Sequence, residues 1–255
     1  MSEPAPRRRG RLPAREPRLP TERDWERSEL LEPRPAPRHP ELISDGGGLP
    51  FAAAALAGAG EPLDPDDPAV AALLAHLTAR TGPRRASRAP WKRAVAAAPV
   101  AGPSLEDWRL LARTDGEALF GRGRPPQLLT VAVRRAGRSR AWTHAGSSAA
   151  RPLRATRDGI RASSWRLDPT REPQPGESAL RVLVSEQTFA SGQRADGRVQ
   201  VPDIYIDDAE LVLTIFVTPR PGYQSGSRNP ETPVRIALRH PVGRRRLIDG
   251  ALERV

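Results

Sequence analysis

Two groups of arginines have the type and spacing that favour a specific chemistry, the binding of a polyanion. The first group lies at a predicted hairpin tip with a tryptophan close behind: Arg134, Arg135, Arg138, Arg140 and Trp142. The second group is the run Arg244, Arg245 and Arg246. Guanidinium groups bind phosphates, and an aromatic ring beside them can stack on a base. We favour a solvated turn tip over polyanion binding for the first group, because consecutive arginines in a strand point to opposite faces.

Four acidic residues form the best candidate for metal or acid–base chemistry: Asp203, Asp207, Asp208 and Glu210. Paired carboxylates can hold a hard cation or transfer a proton. We predict solvated turn acids instead, because Asp207 and Asp208 fall in the turn of a hairpin and Glu210 points to solvent. No EF-hand-like spacing surrounds these acids, so we expect no metal site.

The sequence carries no other recognisable catalytic signature. It contains no Cys, which excludes disulfides, thiolate nucleophiles and Cys-based zinc sites. The histidines lack ligand spacing, and the candidate serines lack a G-x-S-x-G elbow. Gly121-x-Gly123 precedes Arg124-Pro125-Pro126, which cannot open a helix as a dinucleotide fingerprint requires, so we predict a hairpin loop there. We therefore expect neither an enzyme nor a cofactor. The histidines are His39, His76, His144 and His240, and the serines are Ser163, Ser164, Ser185 and Ser191.

The composition is basic and rich in proline. The formal net charge is +11, and Lys92 is the single lysine among 41 basic residues. An excess of Arg together with abundant Ala, Pro and Gly also reflects a GC-rich genome, so the basic charge has a compositional explanation beside the functional one. With 38% hydrophobic residues and 29 prolines, part of the chain is predicted to be disordered.

The element around which the rest is organised is a predicted hairpin over residues 199–217. Ile204 and Ile206 alternate with polar residues before the Asp207-Asp208 turn, and apolar residues then recur with a period of two from Leu211 to Val217. Further strands are predicted on both sides of it, separated by turn signals and without intervening helices. They are Trp108–Arg113, Glu117–Phe120, Leu128–Arg135, Arg140–His144, Ser163–Leu167, Ala179–Ser185, Pro233–His240 and Arg245–Ile248.

This pattern predicts a mainly β fold, either an antiparallel sheet, a sandwich or an open barrel, with one or two N-terminal helices. We expect residues 104–255 to form a β-rich domain that folds alone. Residues 1–48 are predicted to be a disordered Pro/Arg-rich arm, in which Glu22–Glu32 around Trp25 forms a helical turn or a docking motif.

Residues 49–103 are predicted to be a helical segment followed by a linker. Asp66-Asp67-Pro68 is a helix start, Val70, Leu73, Leu74 and Leu77 form one apolar stripe, and Gly82 ends the helix. His76 lies at the boundary of this stripe. The linker, residues 83–103, has a candidate short helix from Trp91 to Ala98.

Six pieces of the β-rich domain resemble an uncharacterised family of small β-rich proteins from high-GC actinobacteria. The pieces are WRLLART at 108–114, ALFGRGRPPQL at 118–128, SSWRLDP at 163–169, SEQTFASGQRADGRV at 185–199, NPETPV at 229–234 and HPVGRRRLIDG at 240–250. The resemblance covers roughly residues 104–250 and implies no reaction, substrate or catalytic residue.

The resemblance also implies a lost cysteine pair. Members of the family commonly have Cys at the positions of Phe189 and Gly226 and are often exported, whereas this chain has neither cysteine. We therefore predict that Phe189 is buried near the backbone of Gly226, within bridging distance, where its ring partly replaces a disulfide.

The function expected from these observations is a non-enzymatic interaction or structural module with an unknown ligand. The alternative is weak polyanion binding, to nucleic acid or an anionic surface, through the two arginine groups. The partner is then an unknown protein or a polyanion, and the oligomeric state stays open. With no signal peptide, no membrane-spanning run and no Cys, the expected location is cytoplasmic. If the true start differs, the cell envelope or secretion is the alternative.

Overall fold

The computed structural model describes residues 19–57, 62–81, 104–137, 139–226 and 229–251. These residues form two α-helices, α1 Glu22–Arg27 and α2 Pro68–Thr81, and a 3-10 turn Ala53–Leu56. Their strands are β1 Leu30–Leu31, β2 Arg34–Pro35, β3 Leu42–Ser44, β4 Phe51–Ala52, β5 Trp108–Arg113, β6 Glu117–Arg122, β7 Leu129–Arg135, β8 Trp142–Ala149, β9 Arg154–Arg157, β10 Ile160–Leu167, β11 Ala179–Ser185, β12 Asp203–Ile206, β13 Glu210–Phe216, β14 Thr232–Ala237 and β15 Arg246–Asp249. The predicted mainly β fold class is confirmed.

The predicted central hairpin is formed by β12 and β13. Ile204 lies opposite Leu213, and the amide of Asp207 donates to the carbonyl of Glu210 across the turn, at 3.0 Å. Leu211, Leu213 and Ile215 are almost completely buried, as their period of two predicts. Each such side chain contributes roughly 1.5–3 kcal/mol of transfer free energy. The hairpin therefore anchors the core.

The large sheet, which contains this hairpin, has two edge strands that are joined by a very short piece of chain. Its strand order is β1-β14-β11-β10-β13-β12-β2, and β15 adds to β13 in parallel. The two outermost strands, β1 and β2, are separated in the chain by only Glu32 and Pro33. A stretch this short spans roughly 11 Å, so the edges of β14 and β12 lie near each other. Residues 30–35 thus bridge the gap in a barrel-like sheet.

The N-terminal segment, residues 19–48, does not form the disordered arm that its prolines predict. Its helix α1 begins with a capping box at Thr21 and buries Trp25, which is 1% exposed. Strands β1 and β2 pair in parallel with β14 and β12, and β3 pairs with β9. The sequence did not indicate these elements because short strands with remote partners leave no periodic signal. Residues 1–18 lie outside the described part of the chain.

The small sheet, β5-β6-β7-β8, is an antiparallel meander that is covered on both faces. Helix α2 packs Ala69, Val70 and Leu73 on one face, as its predicted apolar stripe requires. Ile43, Phe51 and Leu56 cover the other face. The cores on the two faces of the small sheet thus combine residues from 1–103 with residues from 104–255. The predicted division into a separate β-rich domain and residues 1–103 does not describe these cores.

Several predicted boundaries differ from the structure. Strand β9 was missed because Arg-Ala-Thr-Arg has no apolar alternation, and β8 extends to Ala149 through small polar residues. Gly82, the linker 83–103 and its candidate helix lie outside the described residues. Among the residues that are described, neither helix has the length and hydrophobicity needed to cross a membrane.

Candidate functional site

The first predicted arginine group is largely engaged in contacts within the small sheet. Arg134 binds Glu117 at 2.9 Å. The guanidinium carbon of Arg135 lies 5.2 Å from the ring centre of Trp142, and that of Arg113 lies 5.7 Å from it. Trp142 is partly buried against the core beneath α2. Two guanidinium groups therefore already lie beside the ring of Trp142. Arg140 is exposed, and Arg138 lies outside the described residues.

The second predicted group supports the central hairpin. Arg245 donates to the backbone carbonyls of Asp207, Pro241 and Val242. Arg246 binds the carboxylate of Glu210. Arg244 alone of the three is exposed with no hydrogen bond or ion pair among the described residues. This group lies at the large sheet, whereas the first group lies on the small sheet. The two arginine groups are therefore not brought together on adjacent strands of one sheet.

The acidic residues are not all solvated turn acids. Glu210 is buried, at 8% exposure, and contacts both Arg38 and Arg246. Hydrogen bonds from these two arginines hold the pKa of Glu210 below its ordinary value. The prediction that Glu210 points to solvent is therefore wrong. Within the described part of the chain, no group of three or more His, Cys, Asp or Glu side chains is arranged to hold a metal ion.

Asp207 and Asp208 do lie in the turn, as predicted. The carboxylate of Asp207 accepts hydrogen bonds from the amides of Glu210 and Ala209, at 2.7 and 2.8 Å, and from the hydroxyl of Tyr205 at 3.0 Å. These bonds lower the pKa of Asp207. This carboxylate therefore fixes the turn and the ring of Tyr205.

A further candidate site is an open cleft of about 360 Å³ between the N-terminal segment and the large sheet. Residues 34–42 form one wall, and β9, β12 and β13 form the other. Backbone bonds hold the first wall in place, because the amides of Arg34 and Ala36 donate to the carbonyls of Pro202 and Ile204, both at 2.9 Å. A volume of this size is typical of small-molecule sites.

The floor of the cleft combines an apolar ring with a fixed cation. The guanidinium carbon of Arg157 lies 4.3 Å from the ring centre of Phe216, which is 2% exposed. Arg157 donates to Asp203 at 2.7 Å, to the side chain of Gln200 at 2.8 Å and to the carbonyl of Val201 at 3.0 Å. Burial lowers the pKa of Arg157, and the charge of Asp203 opposes that effect. The guanidinium is thus held in one orientation before any ligand arrives.

Asp203 joins the two walls of the cleft. Its carboxylate binds Arg157 from β9 and Arg34 from the N-terminal segment. Tyr205 and Thr214 add hydroxyl groups, and Val212 adds apolar surface. The lining therefore combines hydrogen-bonding groups with a few apolar side chains, which suits the binding of a small molecule.

The predicted burial of Phe189 is wrong. Its side chain is 61% exposed, and a Cβ on Gly226 would meet nothing within 4 Å. The loop that contains Phe189 and the loop that contains Gly226 are nevertheless neighbours. The amide of Ser225 donates to the hydroxyl of Ser191 at 3.0 Å. The amide of Ala190 donates to the side chain of Asn229 at 2.9 Å. Polar side chains therefore connect these loops, and the aromatic ring does not.

Comparison of the chain with family models, curated proteins and solved structures finds no match. The resemblance to an actinobacterial family stays a prediction. None of the cleft residues carried a motif. Arg157 is in the strand that was missed, directly before the Asp158-Gly159 turn, and Phe216 looked only like a core residue of β13. The one available signal was an arginine beside a tight turn, which is too common to be specific.

Proposed function

We propose that this chain is a non-enzymatic interaction module that binds a small ligand in the cleft between residues 34–42 and the large sheet. The observation that carries the proposal is the guanidinium of Arg157, fixed over the ring of Phe216 at the floor. Three further hydrogen-bonding groups hold that guanidinium, so it loses little conformational entropy when a ligand binds.

The charges of the cleft favour a ligand with little net charge. Its lining contains three arginines, Arg34, Arg38 and Arg157, and three acids, Glu41, Asp158 and Asp203. Arg34 and Arg157 already contact Asp203, so an anionic ligand would have to displace a carboxylate. An uncharged molecule with an aromatic or other flat apolar part fits this balance better.

A cleft-filling variant tests the proposal. Ala36 lines the cleft, and its amide bond to Ile204 involves only the backbone, so Ala36→Trp should fill the space without removing that bond. Saturation-transfer NMR with indole and benzamide should show contact with the wild type and no contact with this variant. Ala149→Trp, at an exposed position of the small sheet, is the matched control and should keep the signal. Absence of signal with the wild type, or an unchanged signal with Ala36→Trp, would refute the proposal.

Polyanion binding through the predicted arginine groups remains the second candidate, favoured by the net charge of +11. It requires that retention on heparin falls steeply between about 50 and 200 mM salt. It also requires that replacing Arg134, Arg135, Arg138 and Arg140 together by Gln abolishes retention while the fold is kept. Equal retention by that variant would leave only diffuse surface charge.

A further inference from the structure

We propose that Arg151, Arg154 and Arg161 form a second binding site, for a phosphate-type oxyanion, beside the glycine loop 46–48. This site is separate from the cleft, and its existence does not depend on the ligand proposed there. The proposal rests on three arginines that interact with one another and have no carboxylate within 4 Å in the described residues.

Ion pairing distinguishes these arginines from most others in the described residues. Arg34, Arg157 and Arg246, for example, each lie within 4 Å of a carboxylate. None of Arg151, Arg154 and Arg161 has such a contact in the part of the chain that the structure describes. The charges of Asp249 and Asp45 act on Arg154 and Arg161 only from beyond 4 Å, so an anion bound directly to these partly buried cations would stabilise them further.

Arg161 on β10 lies opposite Thr156 on β9, so Arg154, two residues before Thr156, is its diagonal neighbour on the same face. Arg154 donates to the carbonyl of Ala162 at 3.3 Å and to the hydroxyl of Ser164 at 3.0 Å. Arg161 reaches back to the carbonyl of Pro152 at 3.1 Å, and its buried Nε atom has no hydrogen-bond partner. Each guanidinium has five N–H donors. Donors therefore remain on both side chains after these protein bonds are made.

The like charges affect one another. The pKa of Arg161 is lowered first by burial and then by the charge of Arg154, with a smaller contribution from Arg151. Burial is also the main cause of the lowered pKa of Arg154. Arg151 is exposed and leaves one side of this group open to solvent. An oxyanion entering there would be attracted by all three charges.

The carboxylate of Asp45, whose charge acts on Arg161 and Arg151, makes its direct hydrogen bonds with neutral donors. One oxygen accepts from the amide of Gly47 at 2.8 Å, and the other accepts from the hydroxyl of Thr130. Burial raises the pKa of Asp45, but these hydrogen bonds outweigh burial and hold the pKa below its ordinary value. Asp45 therefore carries its charge but makes no ion pair with Arg161.

Gly46 lets the guanidinium of Arg161 approach the loop backbone. The residue has φ +78°, and a Cβ there would lie 2.5 Å from Nη1 of Arg161. A side chain at this position would therefore be strained and would push Arg161 away. Gly46 and Gly47 are exposed, so a ligand can reach Arg161 beside this loop, and bidentate guanidinium contacts match the geometry of phosphate.

Titration with inorganic phosphate at constant ionic strength, followed by NMR, tests this site. Glycerol phosphate as a second ligand distinguishes a phosphate ester from the free ion. Arg161→Gln and Arg151→Gln should each weaken phosphate binding about tenfold, the loss of one or two charge-assisted hydrogen bonds. Arg239→Gln, at an exposed arginine just after β14 that belongs to neither predicted arginine group, should leave the affinity unchanged.

Two results would overturn the proposal. One is that phosphate binds no better than chloride to the wild type, and the other is that Arg239→Gln weakens binding as much as the site variants do. If Arg161→Gln does not fold, Arg151→Gln decides alone, because Arg151 is exposed and makes no hydrogen bond or ion pair among the described residues.

Discussion

At Asp203, one carboxylate serves two guanidinium groups from different parts of the chain. Arg157 reaches it from β9 and Arg34 from the N-terminal segment. The side chains of Arg157 and Asp203 are only 15% and 16% exposed, so this pair is screened little by solvent. Many arginines of this basic chain have such internal roles, which is why their number alone does not predict a nucleic-acid surface.

Removing the charge of Asp203 should therefore destabilise the fold. Asp203→Asn leaves Arg157 and Arg34 without a counter-charge, and losing one partner of a buried ion pair costs about 3 kcal/mol. Urea unfolding of the variant measures this change. Asp208→Asn, an exposed acid in the neighbouring turn, is the control and should change the free energy of unfolding by less than about 0.5 kcal/mol. Equal effects of the two substitutions would contradict the role given to Asp203.

The carboxylate of Asp24 predicts a pH effect at the start of α1. Hydrogen bonds from the backbone and side chain of Thr21 lower the pKa of Asp24 from 3.8 to about 2. Since its folded pKa is below its unfolded pKa, its contribution to stability is complete above about pH 4 and is lost as the pH falls towards 2.

Asp24→Asn removes that titration. The difference in unfolding midpoint between the wild type and this variant should shrink as the pH is lowered from about 4 to about 2. Chemical denaturation at several pH values measures it. A difference that stays constant over this interval would show that the capping box does not depend on the charge of Asp24.

The elements differ in how far the sequence determines them. Strand β13 could be predicted because its apolar residues alternate over seven positions, and α2 because Asp67, Pro68 and one apolar stripe mark its start and its face. Strands β1 and β2 could not be predicted. Each has two residues, and their partners lie about 170 to 200 residues further along the chain. The cleft was missed for the same reason, since one of its walls consists of these short pairings.

Helix α1 gives the clearest test at this scale. Trp25 is 1% exposed, and truncating a buried Trp to Ala costs about 3–5 kcal/mol. Trp25→Ala should therefore lower the free energy of unfolding by this amount. Leu30→Ala, five residues later but 54% exposed, should change it by less than about 0.5 kcal/mol. A negligible effect of Trp25→Ala would mean that the N-terminal segment is not part of the folded core.

The whole molecule is built by sharing cores between the N-terminal and C-terminal parts of the chain. Ile43, Phe51 and Leu56 cover one face of the small sheet, and Ala69, Val70 and Leu73 cover the other. A fragment of residues 104–255 would expose both faces to water. We therefore expect this fragment not to fold alone, contrary to the expectation from the strand pattern. Dispersed amide signals in the NMR spectrum of the isolated fragment would contradict this expectation.

Hydrogen exchange at the N-terminal segment tests the central claim most directly, which is that residues 30–35 close the large sheet and hold one wall of the cleft. The amides of Arg34 and Ala36 donate to Pro202 and Ile204, and the amide of Arg235 donates to Glu29 on the other side of the gap. If the sheet is closed in this way, these three amides should exchange at least about a hundredfold more slowly than an unstructured peptide. Exchange of Arg34 and Ala36 at the unstructured rate would contradict both the closure of the sheet and the cleft.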